Sequence, residues 1–181
     1  MNLILAIIVA CEIGFWVLIV AGLLARYVLR WARTGVVLLA MTPVVDLVLL
    51  AATVLDLRAG ANASFFHGLA ALYLGFSVAY GHKMISWADN RFAHRIAGGP
   101  APTRHYGAQY AKACWKDAGR TTVAVLIAAG LLHLLTVLVN DPNRTGALTG
   151  LYPVLGIVFL VDVVWAISYT IWPKKQPLPV P

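Results

Sequence analysis

The sequence predicts an all-α integral membrane protein: five transmembrane helices, N-terminus outside, C-terminus cytoplasmic, and one cytoplasmic loop with an amphipathic helix. Three observations lead there. Of 181 residues, 61% are hydrophobic and 12% charged, and mean hydropathy is +0.81; soluble domains carry roughly a quarter charged residues. The apolar residues fall into runs near the ~20 residues that a helix needs to cross ~30 Å of hydrocarbon. The basic residues gather on one side of those runs. Together these exclude a soluble enzyme, a disordered tail and a nucleic-acid module, and two cysteines exclude a disulfide scaffold.

The five spans are expected at about 3–24, 35–55, 64–85, 121–140 and 148–172, within a single membrane domain of residues 1–181. The first ends at Arg26 and Arg30. It lacks a basic start and runs past Cys11 to Leu24, so a retained helix is expected rather than a cleaved signal. The second lies between Arg33 and Asp56, with Pro43 expected to kink it by removing a backbone donor. The third begins after Asn62 and lets Lys83 reach the interface at its end. The fourth lies between Arg120 and Asn140, and the fifth is closed by Pro173, Lys174 and Lys175.

Twelve of the fourteen Lys and Arg residues then fall on one side, with Arg58 and Arg144 alone on the other. The positive-inside rule makes the basic side cytoplasmic. The outer loops, 56–64 and 140–146, are short, so the cytoplasmic loop at about 86–119 is the only sizeable extramembrane part. Gly98-Gly99-Pro100 and Pro102 break it in two. Beyond the break, Tyr106, Tyr110, Ala113, Cys114 and Asp117 share a helical face, and Lys112, Lys116 and Arg120 form a basic ridge. This pattern predicts a helix lying on an anionic cytoplasmic leaflet.

Ionisable groups in hydrocarbon cost roughly 2.5–3.5 kcal/mol each on insertion scales, so each asks for a reason. Glu12, Asp46, His133 and Asp162 are all expected near mid-bilayer, with no Lys or Arg at that depth. A carboxyl group taken out of water is stabilised in its neutral form or beside a partner. Helical periodicity sets Thr42, Asp46, Thr53 and Asp56 on one face of span two, and Asp162, Trp165 and Tyr169 on one face of span five. Span three carries a small-residue packing seam of Gly68, Ala71, Gly75 and Ala79, with Tyr73, Ser77 and Tyr80 on its other side.

The leading functional expectation is a small transporter or ion- or proton-handling bundle. Glu12, Asp46, His133 and Asp162 would line its polar interior, with Asp56 and His67 at the outer entrance. The same four residues are a hard-ligand set suited to a divalent metal ion, although no HExxH or EF-hand pattern is present. A haem would have at most one bis-histidine site, between His67 and His133, an argument against it on ligand count. No cofactor is required by the sequence. The rival expectation is a non-catalytic accessory or scaffold subunit, docking through the span-three seam and the Tyr106–Arg120 helix onto a larger membrane complex or onto further copies of the chain. No GxSxG and no phosphate-binding glycine loop are present, so a self-contained enzyme is not expected.

The segments Cys11-Glu12-Ile13-Gly14-Phe15-Trp16, Pro43-Val44-Val45-Asp46-Leu47 and Asp56-Leu57-Arg58 resemble a group of small bacterial inner-membrane proteins of the YmcC type. The likeness continues through His67-Gly68-Leu69-Ala70-Ala71, Gly81-His82 and Trp87-Ala88-Asp89 to Arg91-Phe92-Ala93-His94-Arg95. It covers most of the chain to about Gly99 and weakens beyond; Tyr110-Ala111-Lys112-Ala113-Cys114-Trp115 departs from the acidic residue expected before the Trp. The resemblance implies a bacterial cytoplasmic membrane and no particular activity.

The expected topology is open to cysteine labelling. In intact cells, a membrane-impermeant thiol reagent should label an Asn62→Cys variant and leave Lys175→Cys untouched until the cells are opened; the reverse pattern would invert the orientation.

Overall fold

The structure, a computed structural model, describes residues 3–96 and 105–176. The predicted break at Gly98-Gly99-Pro100 and Pro102 lies outside the described residues. Among the described residues seven helices follow one another: α1 (Leu3–Tyr27), α2 (Ala32–Ala40), α3 (Thr42–Arg58), α4 (Phe65–Ile96), α5 (Gly107–Val139), α6 (Pro142–Thr149) and α7 (Tyr152–Ile171). Among the described residues there is no strand. Four segments among the described residues are long and apolar enough to cross a membrane: Val9–Tyr27, Arg33–Arg58, Gly107–Val139 and Pro142–Ile171. Helix α4 is not among them, though it packs between α3 and α5.

The predicted second span is two helices, α2 and α3. Pro43 has no N–H to give to the carbonyl of Leu39, and the Thr42 hydroxyl donates to that carbonyl instead, at 2.8 Å. The chain therefore bends at Met41 without leaving the acceptor bare. Asn140 adopts a left-handed conformation (φ 48°) and ends α5. Asp141 then caps α6 by accepting from the Asn143 N–H at 3.0 Å, with Pro142 in the first turn. The expected 140–146 loop is thus largely a short helix.

Packing proceeds from α1 and α2 through α3 and α4 to α5 and α7. In one half, Leu57, Ala71, Ala128, Leu132, Leu135, Leu148, Leu151 and Leu155 form a core drawn from α3 to α7. In the other half, Cys114 and Ala118 of α5 meet Ala166 of α7. The second cluster corrects the reading of the basic loop segment. Residues 107–120 are the opening turns of a continuous 33-residue α5, not a separate helix on the leaflet. Their apolar face is covered by α7: Tyr110 meets Tyr169 edge-on at 4.7 Å, Trp115 Nε1 donates to Thr170 Oγ1 at 3.0 Å, and Gly107 N–H donates to the Lys174 carbonyl at 2.9 Å. An apolar stripe of that width is satisfied as well by a neighbouring helix as by lipid.

Helices α4 and α5 approach each other closely at Gly75. A Cβ added at Gly75 would lie 2.6 Å from the Ala124 carbonyl oxygen and 3.1 Å from the Ala128 Cβ. Backbone atoms have nowhere to retreat, so only glycine allows this separation. Gly75→Ala should lower the melting temperature in detergent, a loss of about 1–3 kcal/mol by overpacking, and Gly75→Leu should abolish folded yield. A Gly75→Ala protein that melts with the wild type would show that the helices are not held this close.

Candidate functional site

The inner face of α3 is polar where the neighbouring helices cover it. Thr42, Asp46 and Thr53 are buried, Asp46 with 1% of its surface exposed, and the Asp56 side chain is 16% exposed. Asp46 stands near the middle of the Arg33–Arg58 segment. It borders a cavity of about 90 Å³ between α1, α3 and α4, whose other walls are Phe15, Trp16, Leu49, Phe66, Leu69 and Tyr73. The Ser77 hydroxyl of α4 is a polar neighbour of its carboxyl group. Its Oδ2 is buried with no hydrogen-bond partner. A buried carboxyl oxygen left without a donor is costly, and such atoms ask for an explanation.

One turn beyond Ser77 on α4, Tyr80 reaches a second polar group. The Thr121 hydroxyl of α5 donates to Asp162 Oδ2 of α7. The Tyr80 hydroxyl sits against Thr121 Oγ1, 3.1 Å from the Asp117 carbonyl and 3.5 Å from Asp162 Oδ2. With a single proton it donates to one acceptor at a time. Asp117 in turn pairs with Lys83 of α4 and, at 2.8 Å, with Arg120 one turn along α5. The Tyr80, Thr121 and Asp162 group therefore adjoins a charged one at the basic end of the bundle.

At the opposite end of α3, His67 Nε2 lies 3.3 Å from Asp56 Oδ2. Its Nδ1 accepts from the Ser64 backbone N–H at 3.0 Å. Ser64 and His67 thus occupy the first and last positions of a capping box opening α4, with an imidazole in the usual place of Glu or Gln. Nδ1 as acceptor leaves Nε2 to carry the proton that faces Asp56. Beside them Arg144 of α6 donates from one terminal nitrogen to the carbonyls of Leu57 and Ala61, both at 2.6 Å. Its own carbonyl accepts from the Ala63 N–H at 2.8 Å. A guanidinium placed on carbonyls at the end of α3 satisfies acceptors the helix cannot.

The four residues expected to share an interior do not meet as a set. His133 is exposed on the outer face of α5, and His82 is exposed on α4. Asp46 and Asp162 belong to separate groups joined only along α4. Glu12 lies on α1, and its side chain is outside the described ones. Among the described residues, no three His, Cys, Asp or Glu side chains come together as metal ligands. Both ring nitrogens of His67 are engaged, and His133 points away, so these two histidines do not face each other across a haem site. Gly68, Ala71 and Gly75 of the small-residue seam are buried against α5, α6 and the start of α7, and Ala79 is half-buried. The seam is therefore occupied largely within the chain. Lys112 and Lys116 are exposed, while Arg120 is drawn to Asp117.

Sequence reasoning passed over the aromatic walls of the cavity and the capping role of Arg144. An Arg on the side where only Arg58 joins it was the available signal for the second.

A protein of Bacillus subtilis (strain 168), described as the uncharacterized membrane protein YmcC, is 46% identical over 177 residues, which cover 97% of this chain and 96% of its own length. No protein-family model matches the chain, and no solved structure matches it.

Replacing Arg144 by Ala would remove the side-chain donor from the carbonyls of Leu57 and Ala61, leaving the Gly60 N–H on the first, at a cost of about 1–3 kcal/mol. The expected result is a lower midpoint of unfolding in detergent, partly recovered by Arg144→Lys. An unchanged midpoint for Arg144→Ala would mean that water replaces the guanidinium freely.

Proposed function

We propose, for a chain that belongs to the YmcC family of membrane proteins, the role of a proton-handling helical bundle in which Asp46 takes up and releases the proton. In this reading the multi-pass protein crosses five times, with α4 as the central crossing, the N-terminus outside and the C-terminus in the cytoplasm. Helix α4 is the least apolar crossing because α3 and α5 shield it, so its His67 and Tyr80 side chains meet partners rather than lipid. The carrying observation is the Asp46 Oδ2 atom: buried at mid-span, without a hydrogen-bond partner, beside a cavity.

An ionised carboxylate there lacks a fixed counter-ion, since Lys83 and Arg120 are held by Asp117. The proton is then its natural partner, and intramembrane acids of this kind mark proton relays. Hydroxyls supply the route inward. Ser77, Tyr80 and Thr121 each donate and accept, so a proton arriving at one is matched by release from its far side. Asp162 stands midway, and Asp117 with Lys83 and Arg120 forms the cytoplasmic mouth. Outward, buried Thr53 lies between Asp46 and the Asp56–His67 pair on α3. At the cytoplasmic surface the exposed Lys112, Lys116, Lys174 and Lys175 would rest against anionic headgroups.

Purified protein in liposomes with an imposed pH gradient and an internal pH-sensitive dye tests this reading. Asp46→Asn should cut proton flux by about tenfold or more, in line with the usual weight of a positioned acid–base group, at unchanged folded yield. Asp162→Asn should slow it as well. Wild-type flux through Asp46→Asn would remove Asp46 from the role.

A further inference from the structure

We infer that the cavity between α1, α3 and α4 binds the cationic head of a lipophilic amine that enters from the bilayer. The inference rests on the reading of Asp46 as an ionisable group in use and supplies the class of molecule its site would take. The walls decide the chemistry. Around the one carboxyl group stand four aromatic rings, Phe15, Trp16, Phe66 and Tyr73, with Leu49 and Leu69. Phe15 stacks on Tyr73 at 5.7 Å between centroids, and Trp16 stands edge-on to Phe15 at 84°. A carboxylate backed by aromatic faces is the environment that holds alkylammonium ions, through ion pairing and attraction to the ring quadrupoles.

Other occupants fit less well. A metal ion would need further hard ligands, and among the described residues none joins Asp46. An anion meets a carboxylate. A hydrocarbon tail would fill the space but leave Oδ2 bare. Buried water needs two to four polar partners, and most of these walls offer none.

Size and access set the rest of the ligand. At about 30 Å³ per water in the liquid, the cavity of about 90 Å³ holds the equivalent of about three waters. That suffices for a methylated ammonium head and not for an entire amphiphile, so the tail must lie outside. Trp16 and Phe66, on the cavity wall, are 61% and 57% exposed on the surface of the bundle. In a membrane that surface faces acyl chains, which places the entrance in the hydrocarbon and leaves the tail among the lipids. An ammonium ion and a proton would then compete for the same Asp46 oxygen.

The test is a titration of the full-length protein in lipid nanodiscs, followed by tryptophan emission, with N,N-dimethyloctylamine and with 1-octanol as the uncharged match. The amine should give a saturable change and octanol only a linear drift. Asp46→Asn should weaken amine binding by about tenfold or more, whereas Asp46→Glu, which keeps the charge, should retain it. Equal saturation by octanol would make the cavity a groove for apolar tails, and undiminished amine binding by Asp46→Asn would detach the carboxyl group from recognition; either overturns the inference. If Asp46→Asn fails to fold, the amine and alcohol arms on the wild type still decide. Proton flux without saturable amine binding would sink this inference and spare the relay, while normal flux through Asp46→Asn with weakened amine binding would do the opposite.

Discussion

The contact between α4 and α5 at Gly75 is the constraint on which the other features depend. Because a Cβ there would stand 2.6 Å from the Ala124 carbonyl oxygen, the two helices lie as near as their backbones allow. One and a half turns along from that contact, Tyr80 and Thr121 are thereby close enough for their hydroxyls to meet, and Asp162 of α7 joins them. The same helix, seen from its α3 side, offers Ser77 to Asp46 and His67 to Asp56. In hydrocarbon there is little hydrophobic force between helices, and close packing with interhelical hydrogen bonds takes its place. Helix α4 supplies both, through Gly68 and Gly75 and through His67 and Tyr80.

Polar groups are satisfied unevenly along the bundle. At one end, His67 is held by Ser64 and Asp56, and Arg144 donates to carbonyls near the end of α3. At the other, Asp117 gathers Lys83 and Arg120. Asp46 Oδ2 and Thr53 Oγ1 between them, and Arg144 Nε, are buried without partners. Of these the Asp46 carboxyl group is the one that borders the cavity between α1, α3 and α4. The unpartnered atom is better understood as a place for something that comes and goes.

Much of this was legible in the sequence. The polar stripe of α3 could be read because three polar residues recur at helical spacing among aliphatic ones, and Thr42, Asp46 and Thr53 are indeed buried together. The effect of Pro43 followed from its missing N–H, though not the compensating Thr42 hydroxyl. Orientation of His133 was hidden, because α5 is apolar on most sides and periodicity needs contrast to point anywhere. The face of Tyr110 and Cys114 was visible as an apolar stripe, but a stripe does not say whether lipid or α7 covers it. The cavity was out of reach for a similar reason: its walls come from three helices whose mutual rotation is set by packing, and Phe15, Trp16 and Phe66 read as ordinary membrane aromatics until α3 brings Asp46 among them.

The most direct measurement of the central claim, that Asp46 exchanges a proton inside the bundle, is infrared difference spectroscopy of the wild-type protein in lipid, recorded as pH is stepped. A buried carboxylic acid has its own carbonyl stretch, separate from the carboxylate bands. The expected result is a protonated-acid band that bleaches reversibly as pH rises, shifts in deuterated water, and is missing from Asp46→Asn. A spectrum in which no such band titrates, or one identical in the Asp46→Asn protein, would contradict a working proton at this site and reduce Asp46 to a fixed structural element.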